Sequence, residues 1–102
     1  MNTKELAKID LNLLISLQVL LEEKNVSRAA ERLFITQPAM SKTLSRLRAV
    51  FDDALFTRSS HGMQPTPRAL ELTDRLTEIL SGIGQLVSKQ AFNPALIDTE
   101  IT

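Results

Sequence analysis

Residues 27–51 read SRAAERLFITQPAMSKTLSRLRAVF. By apolar spacing this is close to one continuous helix, yet Pro38 falls in its middle. A proline inside a helix removes a backbone donor and clashes with the preceding turn. The neighbouring residues turn that break into a start. Thr36 can cap a new helix, which puts Gln37 and Pro38 in the first turn, where a missing N–H does least harm. Met40, Leu44, Leu47 and Phe51 follow at spacings of 4, 3 and 4, one core stripe. The opposite face carries Gln37, Ser41, Lys42, Ser45 and Arg48. Ahead of the proline, Ser27 is expected to cap a short helix over RAAERLF, with Ala29, Ala30, Leu33 and Phe34 turned inward.

Two helices joined by a turn of about three residues make a helix-turn-helix. The second helix offers small polar groups and a cation at its start, which suits base edges in a major groove. The expected base contacts are Gln37, Pro38, Ser41 and Lys42, beside the cap Thr36. Ser45 and Arg48, farther along, suit a solvated face or a phosphate as well as readout. Ser27 is expected to cap and also to help hold a phosphate at the free N–H groups of its helix, with Arg28 on a phosphate too. Arg32 reads as a solvated charge, and Arg46 as open to pairing with a carboxylate.

Upstream, DLNLLISLQVLLEEKN reads as a helix capped by Asp10 and stopped at Asn25. Leu13, Leu17 and Leu20 form its main stripe, Leu14 and Leu21 flank it, and Leu11 and Ile15 widen it. Downstream, DALFTRSSHGMQPTP reads as a short β-hairpin, with Leu55 and Phe56 in one arm, a turn at RSSHG and a return at MQPT. A hairpin after a helix-turn-helix is a wing. Thr66 and Pro67 then supply a cap and a first-position proline. Ala69, Leu72, Leu76, Ile79, Ile83 and Leu86 follow in 3, 4, 3, 4, 3 spacing, a heptad seam suited to dimerisation. A helix over 67–90 would be about 36 Å long, weakened by Gly82 and Gly84.

The chain has 102 residues and a formal net charge of zero. A single small domain with a modest core fits that length. Zero net charge argues against nucleic acid, but the distribution argues for it. Residues 28–58 hold Arg28, Arg32, Lys42, Arg46, Arg48 and Arg58 against Glu31, Asp52 and Asp53, a net of +3. Both flanks are net acidic, and an anionic partner responds to the local field.

The stretch quoted above, followed by LFTRSSHGMQPTPRALEL, resembles the DNA-binding module of LysR-type transcriptional regulators from about residue 10 to 75. DLNLL, RLR and GMQPTPRA look like a branch that includes nodulation-type regulators. The resemblance implies a winged helix-turn-helix, a long linker helix that dimerises, and a larger effector-binding domain beyond it. It places basic residues in the wing, here Arg58 and His61, against backbone or minor groove. Three positions depart from the family pattern. Thr36 stands where serine is frequent, Lys42 stands where arginine is common, and DDALF replaces DPLF. An ammonium lacks the planar fork that fits a guanine edge with two bonds, so Lys42 weakens that inherited readout.

The expected fold is therefore all-α, mainly helical: a winged helix-turn-helix over 1–66 with a small hairpin wing, a linker and dimerisation helix over 67–90, and the start of an effector-binding domain over 91–102. The expected function is sequence-specific binding of a pseudo-palindromic double-stranded DNA site by a homodimer in transcription regulation. A higher oligomer is possible in a longer protein, and a small-molecule effector is expected only for the further domain. The rival reading is a helical dimerisation or scaffold module without DNA, which the seam and zero net charge would equally suit. Catalysis has no support, since no base and nucleophile pair at telling spacing and no glycine-rich phosphate loop occurs. No cofactor or metal is expected, because there is no cysteine and only one histidine. No apolar run nears the roughly 20 residues that span a bilayer, and MNTKELAKID lacks a signal peptide's apolar core, so a cytoplasmic protein is expected. The four phenylalanines read as core, which disfavours stacking on single strands.

Overall fold

The leucine-dense stretch after Asp10 forms the helix around which the other elements pack. The computed structural model describes residues 1–60 and 62–88. In chain order it has α1 (Thr3–Leu6), α2 (Leu11–Glu23), α3 (Val26–Arg32), α4 (Gln37–Phe51), β1 (Phe56–Ser59), β2 (Gly62–Pro65) and α5 (Pro67–Val87). The short α1 was not expected from the sequence. It is held by a capping box, in which the Glu5 N–H donates to Asn2 Oδ1 at 2.8 Å and the Asn2 N–H donates to Glu5 Oε1 at 3.2 Å.

Asp10 caps α2 by accepting from the Asn12 N–H at 2.9 Å. Leu13, Leu17, Leu20 and Leu21 are buried, whereas Leu11 and Ile15 lie exposed, so the apolar face is narrower than its leucine count suggests. The corner after α2 corrects two expectations. Lys24, in the left-handed region at φ 53°, ends α2, and Asn25 caps α3 by accepting from the Arg28 N–H at 2.9 Å. Ser27 is thus inside α3 and is not its cap, because Asn25 already has the extended backbone that a capping residue needs.

Ala29 and Ala30 are buried and let α3 lie close to its neighbours. The end of α3 is a Schellman motif. The Ile35 N–H donates to the Ala30 carbonyl at 3.0 Å and the Phe34 N–H to the Glu31 carbonyl at 3.1 Å. This places Phe34 at φ 56°, a position where glycine is usual. The left-handed turn swings its ring out of the core, and Phe34 is 95% exposed rather than inward.

At α4 the Thr36 hydroxyl accepts from the Ala39 N–H at 3.2 Å, and Pro38 sits in the first turn as its position demands. Met40, Leu44 and Leu47 are buried and Phe51 is half-buried against the same core. The chain then turns through Asp52 and Leu55, both left-handed. Leu55 is a bulky residue in a conformation that costs roughly 1–2 kcal/mol. Its side chain is wholly buried, its N–H donates to Asp53 Oδ2 at 2.8 Å, and its carbonyl accepts from the Thr66 N–H at 2.9 Å.

The hairpin pairs antiparallel, Phe56 with Pro65 through Ser59 with Gly62. Pro65 stands at the strand end, where it costs the ladder least. Gly62 has φ 114°, and a Cβ there would stand 3.4 Å from the Lys24 carbonyl oxygen, so the wing's turn side rests on the end of α2.

α5 starts at its Thr66 cap and continues through Gly82 and Gly84 to Val87. Ala69 and Leu76 are buried, and Leu72 and Leu80 pack on the same core. The first part of α5 therefore completes the core of residues 1–66, while residues 81–87 are all exposed. The helix expected to run to residue 90 ends at Val87, where Ser88 is extended at φ −87° and ψ 130°; residues 89 and 90 and the expected start of a further domain over 91–102 lie outside the described residues.

Candidate nucleic-acid interface

Gln37, Ser41 and Ser45 recur every four residues on α4, so they share one face. That face and the hairpin enclose an open groove of about 450 Å³. Gln37, Ser41, Ser45 and Arg48 form one wall, Thr57, Arg58 and Ser59 of β1 the other, and Leu44, Phe56 and Met63 also line it. Among the described residues, no aspartate or glutamate lines it.

Each wall is held by identifiable bonds. The Arg48 guanidinium, aimed from α4 at the base of the wing, donates to the Ala54 carbonyl at 2.8 Å and the Phe56 carbonyl at 3.4 Å. On the other side of the wing, Asp53 Oδ2 accepts from the Thr66 hydroxyl at 2.7 Å, and Thr66 Oγ1 in turn accepts from the Ala69 N–H at 3.1 Å. The Thr66 hydroxyl and the Leu55 N–H hold the Asp53 carboxyl below the usual carboxylate range. At the α3 side, the Ser27 hydroxyl donates to Gln37 Oε1 at 2.9 Å.

The cations divide into two sets. Arg32 is paired with Glu22 at 2.7 Å and Glu23 at 3.1 Å, and Arg46 lies 3.9 Å from Asp10. Arg32 and the Gln18 amide draw the Glu22 carboxyl below its ordinary value. Among the described residues, Arg28, Lys42 and Arg58 have no carboxylate partner. These three are exposed: Arg28 at the start of α3, Lys42 in the second turn of α4, and Arg58 on β1, where it lines the groove. Among the described residues no three histidines, aspartates or glutamates cluster as a metal site would need.

The family model for bacterial regulatory helix-turn-helix proteins of the lysR family matches residues 11–70, from the start of α2 to the first turn of α5. The chain belongs to the LysR family. It is 48% identical over 83 residues to the HTH-type transcriptional regulator SyrM 2 of Sinorhizobium fredii, covering 81% of this chain and 24% of that protein. It is 45% identical over 91 residues to the HTH-type transcriptional activator NagR of a Ralstonia species, covering 88% of this chain and 30% of the relative. Among solved structures, a probable transcriptional regulator from Pseudomonas aeruginosa matches with a TM-score of 0.77 at 39% identity, over 87% of this chain and 30% of that one. The BenM DNA-binding domain, solved in complex with catB site 1 DNA, matches with a TM-score of 0.74 at 26% identity, over 81% of this chain and 93% of that one. The chain spans about a quarter of the length of the curated LysR relatives it matches.

Within this LysR domain the site residues expected from sequence fall into groups. Gln37, Ser41, Ser45 and Arg58 meet at the groove. Pro38 and Lys42 are exposed on the first turns of α4 beside it, and Thr36 uses its hydroxyl as the cap. Ser27 and Arg28 stand at the start of α3, where Ser27 is engaged by Gln37. His61 lies outside the described residues. The expected seam splits in two: Ala69, Leu72 and Leu76 pack within the chain's own core, whereas Ile79, Ile83 and Leu86 are 51%, 37% and 77% exposed. Sequence reasoning missed the wing-holding roles of Arg48 and Asp53. The polar pair Asp53 and Thr66, flanking the hairpin, was the one available signal.

Proposed function

We propose that this LysR-family domain binds double-stranded DNA in a sequence-dependent way, with the start of α4 in the major groove and the hairpin beside it. The observation that carries the reading is the groove between α4 and β1, which gathers amide, hydroxyl and guanidinium groups and, among the described residues, no carboxylate. Gln37, Ser41 and Lys42 are assigned to base edges, with Pro38 as an apolar contact and Ser45 farther along the same face. Arg28 and Arg58 are assigned to the phosphates. A scaffold helix would have no use for a polar groove with an arginine in its wall.

We further propose that two copies associate through Ile79, Ile83 and Leu86 of α5, the part of the seam left outside the core. A dimer would set two reading helices on one face of the duplex and favour a pseudo-palindromic site. A small-molecule effector has no place in this reading of residues 1–88, and in a longer LysR regulator it would belong to a further domain. The proposed location is the cytoplasm, where bacterial DNA lies. No helix among the described residues is long and apolar enough to cross a membrane.

The test is selection of bound duplexes from a random pool, followed by anisotropy titration of the selected and a scrambled duplex at several salt concentrations. Tighter binding to the selected duplex, weakening with salt, is expected. Equal affinity for both duplexes would remove sequence readout, and no binding at low salt would remove the DNA function.

A further inference from the structure

We propose that Ser27 is a positioning residue that decides which end of the Gln37 carboxamide meets the bases. This inference rests on the reading above that the start of α4 lies against base edges. A glutamine amide has an acceptor end and a donor end, and a free one can present either. Here the Ser27 hydroxyl donates to Gln37 Oε1 at 2.9 Å, a bond that joins the second position of α3 to the first position of α4. Among the described residues Gln37 Nε2 has no partner, so the amine is the end left free.

Two consequences follow from that bond. Gln37 acts as a hydrogen-bond donor, so its partner is a base acceptor: guanine N7 or O6, adenine N7 or thymine O4. The cytosine N4 amine, itself a donor, is selected against on the contacted strand. Gln37 is also held in place before DNA arrives, so less side-chain freedom is lost on binding. Ser27 is exposed and does not cap α3, since Asn25 has that role, so removing its hydroxyl takes away the tie to Gln37 and leaves the helix start intact.

The experiment measures affinity for the selected duplex and for its single-base-pair variants. The proteins compared are wild type, Ser27→Ala, Ser27→Thr, Gln37→Ala and the Ser27→Ala/Gln37→Ala double variant. Ser27→Ala is expected to lower discrimination about three- to tenfold at the same base pair that Gln37→Ala relaxes, and against cytosine most of all. The slope of log affinity against log salt should stay unchanged, because no phosphate contact is lost. Ser27→Thr, which keeps the hydroxyl, should retain the preference, and the double variant should bind like Gln37→Ala alone. A uniform loss across all sequences with a shallower salt slope would make Ser27 a phosphate contact and overturn the inference. So would relaxation at a different base pair, full additivity of the two substitutions, or a wild-type preference for cytosine there. Failure of the wild type to bind any duplex would instead remove the proposed function, and this inference with it.

Discussion

Arg28 and Lys42 carry the same charge at different places, and their substitution should separate two kinds of contact. Lys42 stands on the second turn of α4 and Arg28 at the start of α3, both exposed and, among the described residues, without a carboxylate partner. Lys42→Ala is expected to cost about 1–3 kcal/mol on the selected duplex and to relax preference at particular base pairs. Arg28→Ala should weaken every sequence equally and reduce the magnitude of the salt slope by about 0.9. Titrations on selected and scrambled duplexes read both; an unchanged selected-to-scrambled ratio in Lys42→Ala would move the readout elsewhere. Phe34 poses a different question at the same scale. Its ring is exposed and its backbone is left-handed, so glycine should suit the site better. Phe34→Gly is expected to raise unfolding stability by about 1 kcal/mol in a urea melt, because no packing is lost and the left-handed penalty is relieved.

The wing is an element fastened at its base. Arg48 ties it to α4, and Asp53 ties it to the cap of α5 through Thr66. Asp53 has a folded pKa below its ordinary value, first through the Thr66 hydroxyl and then through the Leu55 N–H. A carboxyl depressed on folding adds stability above its unfolded pKa, about 3.9, and that addition is lost as pH falls through the lower folded value. Wild type should therefore melt above Asp53→Asn near neutral pH, and the two should converge in acid. Amide exchange at Leu55 and Thr66 should quicken in the variant at neutral pH, whereas exchange in the middle of α2 should not. If the melting difference is the same at neutral pH and in acid, the ionised carboxylate is not what holds the wing. The end of α5 is an element with unused stability. A Cβ at Gly82 or Gly84 would meet nothing within 4 Å. Gly82→Ala and Gly84→Ala should each stabilise the helix by about 1 kcal/mol, seen as added helical ellipticity and a higher melting temperature.

For the molecule as a whole, the heptad pattern of α5 serves two purposes in sequence. Its first half faces α2 and closes the core, and its second half runs on with Ile79, Ile83 and Leu86 exposed. The two halves should respond differently to substitution. Leu76→Ala is expected to lose about 2–5 kcal/mol of folding stability, as a buried leucine does. The pair Ile79→Glu and Ile83→Glu should leave the melting of the domain core nearly unchanged while abolishing the proposed dimer in sedimentation. Binding to the paired site should weaken with it, since bivalent engagement is lost. A double variant that still sediments as the dimer would place the interface elsewhere.

The sequence alone determined several features set by near neighbours along the chain, though not the capping box of α1. Pro38 and Thr36 marked where α4 begins, Thr66 and Pro67 where α5 begins, and 3–4 spacing picked out Met40, Leu44 and Leu47 as core. The exposed polar face of α4 was legible for the same reason, because a helix projects residues three and four apart to one side. Tertiary structure decided what depends on backbone handedness and on partners distant in sequence. Asn25 displaced Ser27 as the cap, since an extended residue followed a left-handed Lys24. Phe34 left the core because the Schellman turn required φ above zero at its position. Whether a heptad leucine faces its own domain or solvent depends on where α2 ends beneath α5, and the spacing of α5 carries no record of that. Ser27 with Gln37, Arg48 with Ala54 and Asp53 with Thr66 are likewise pairings across a turn or a hairpin, made only when packing brings their atoms within bonding distance.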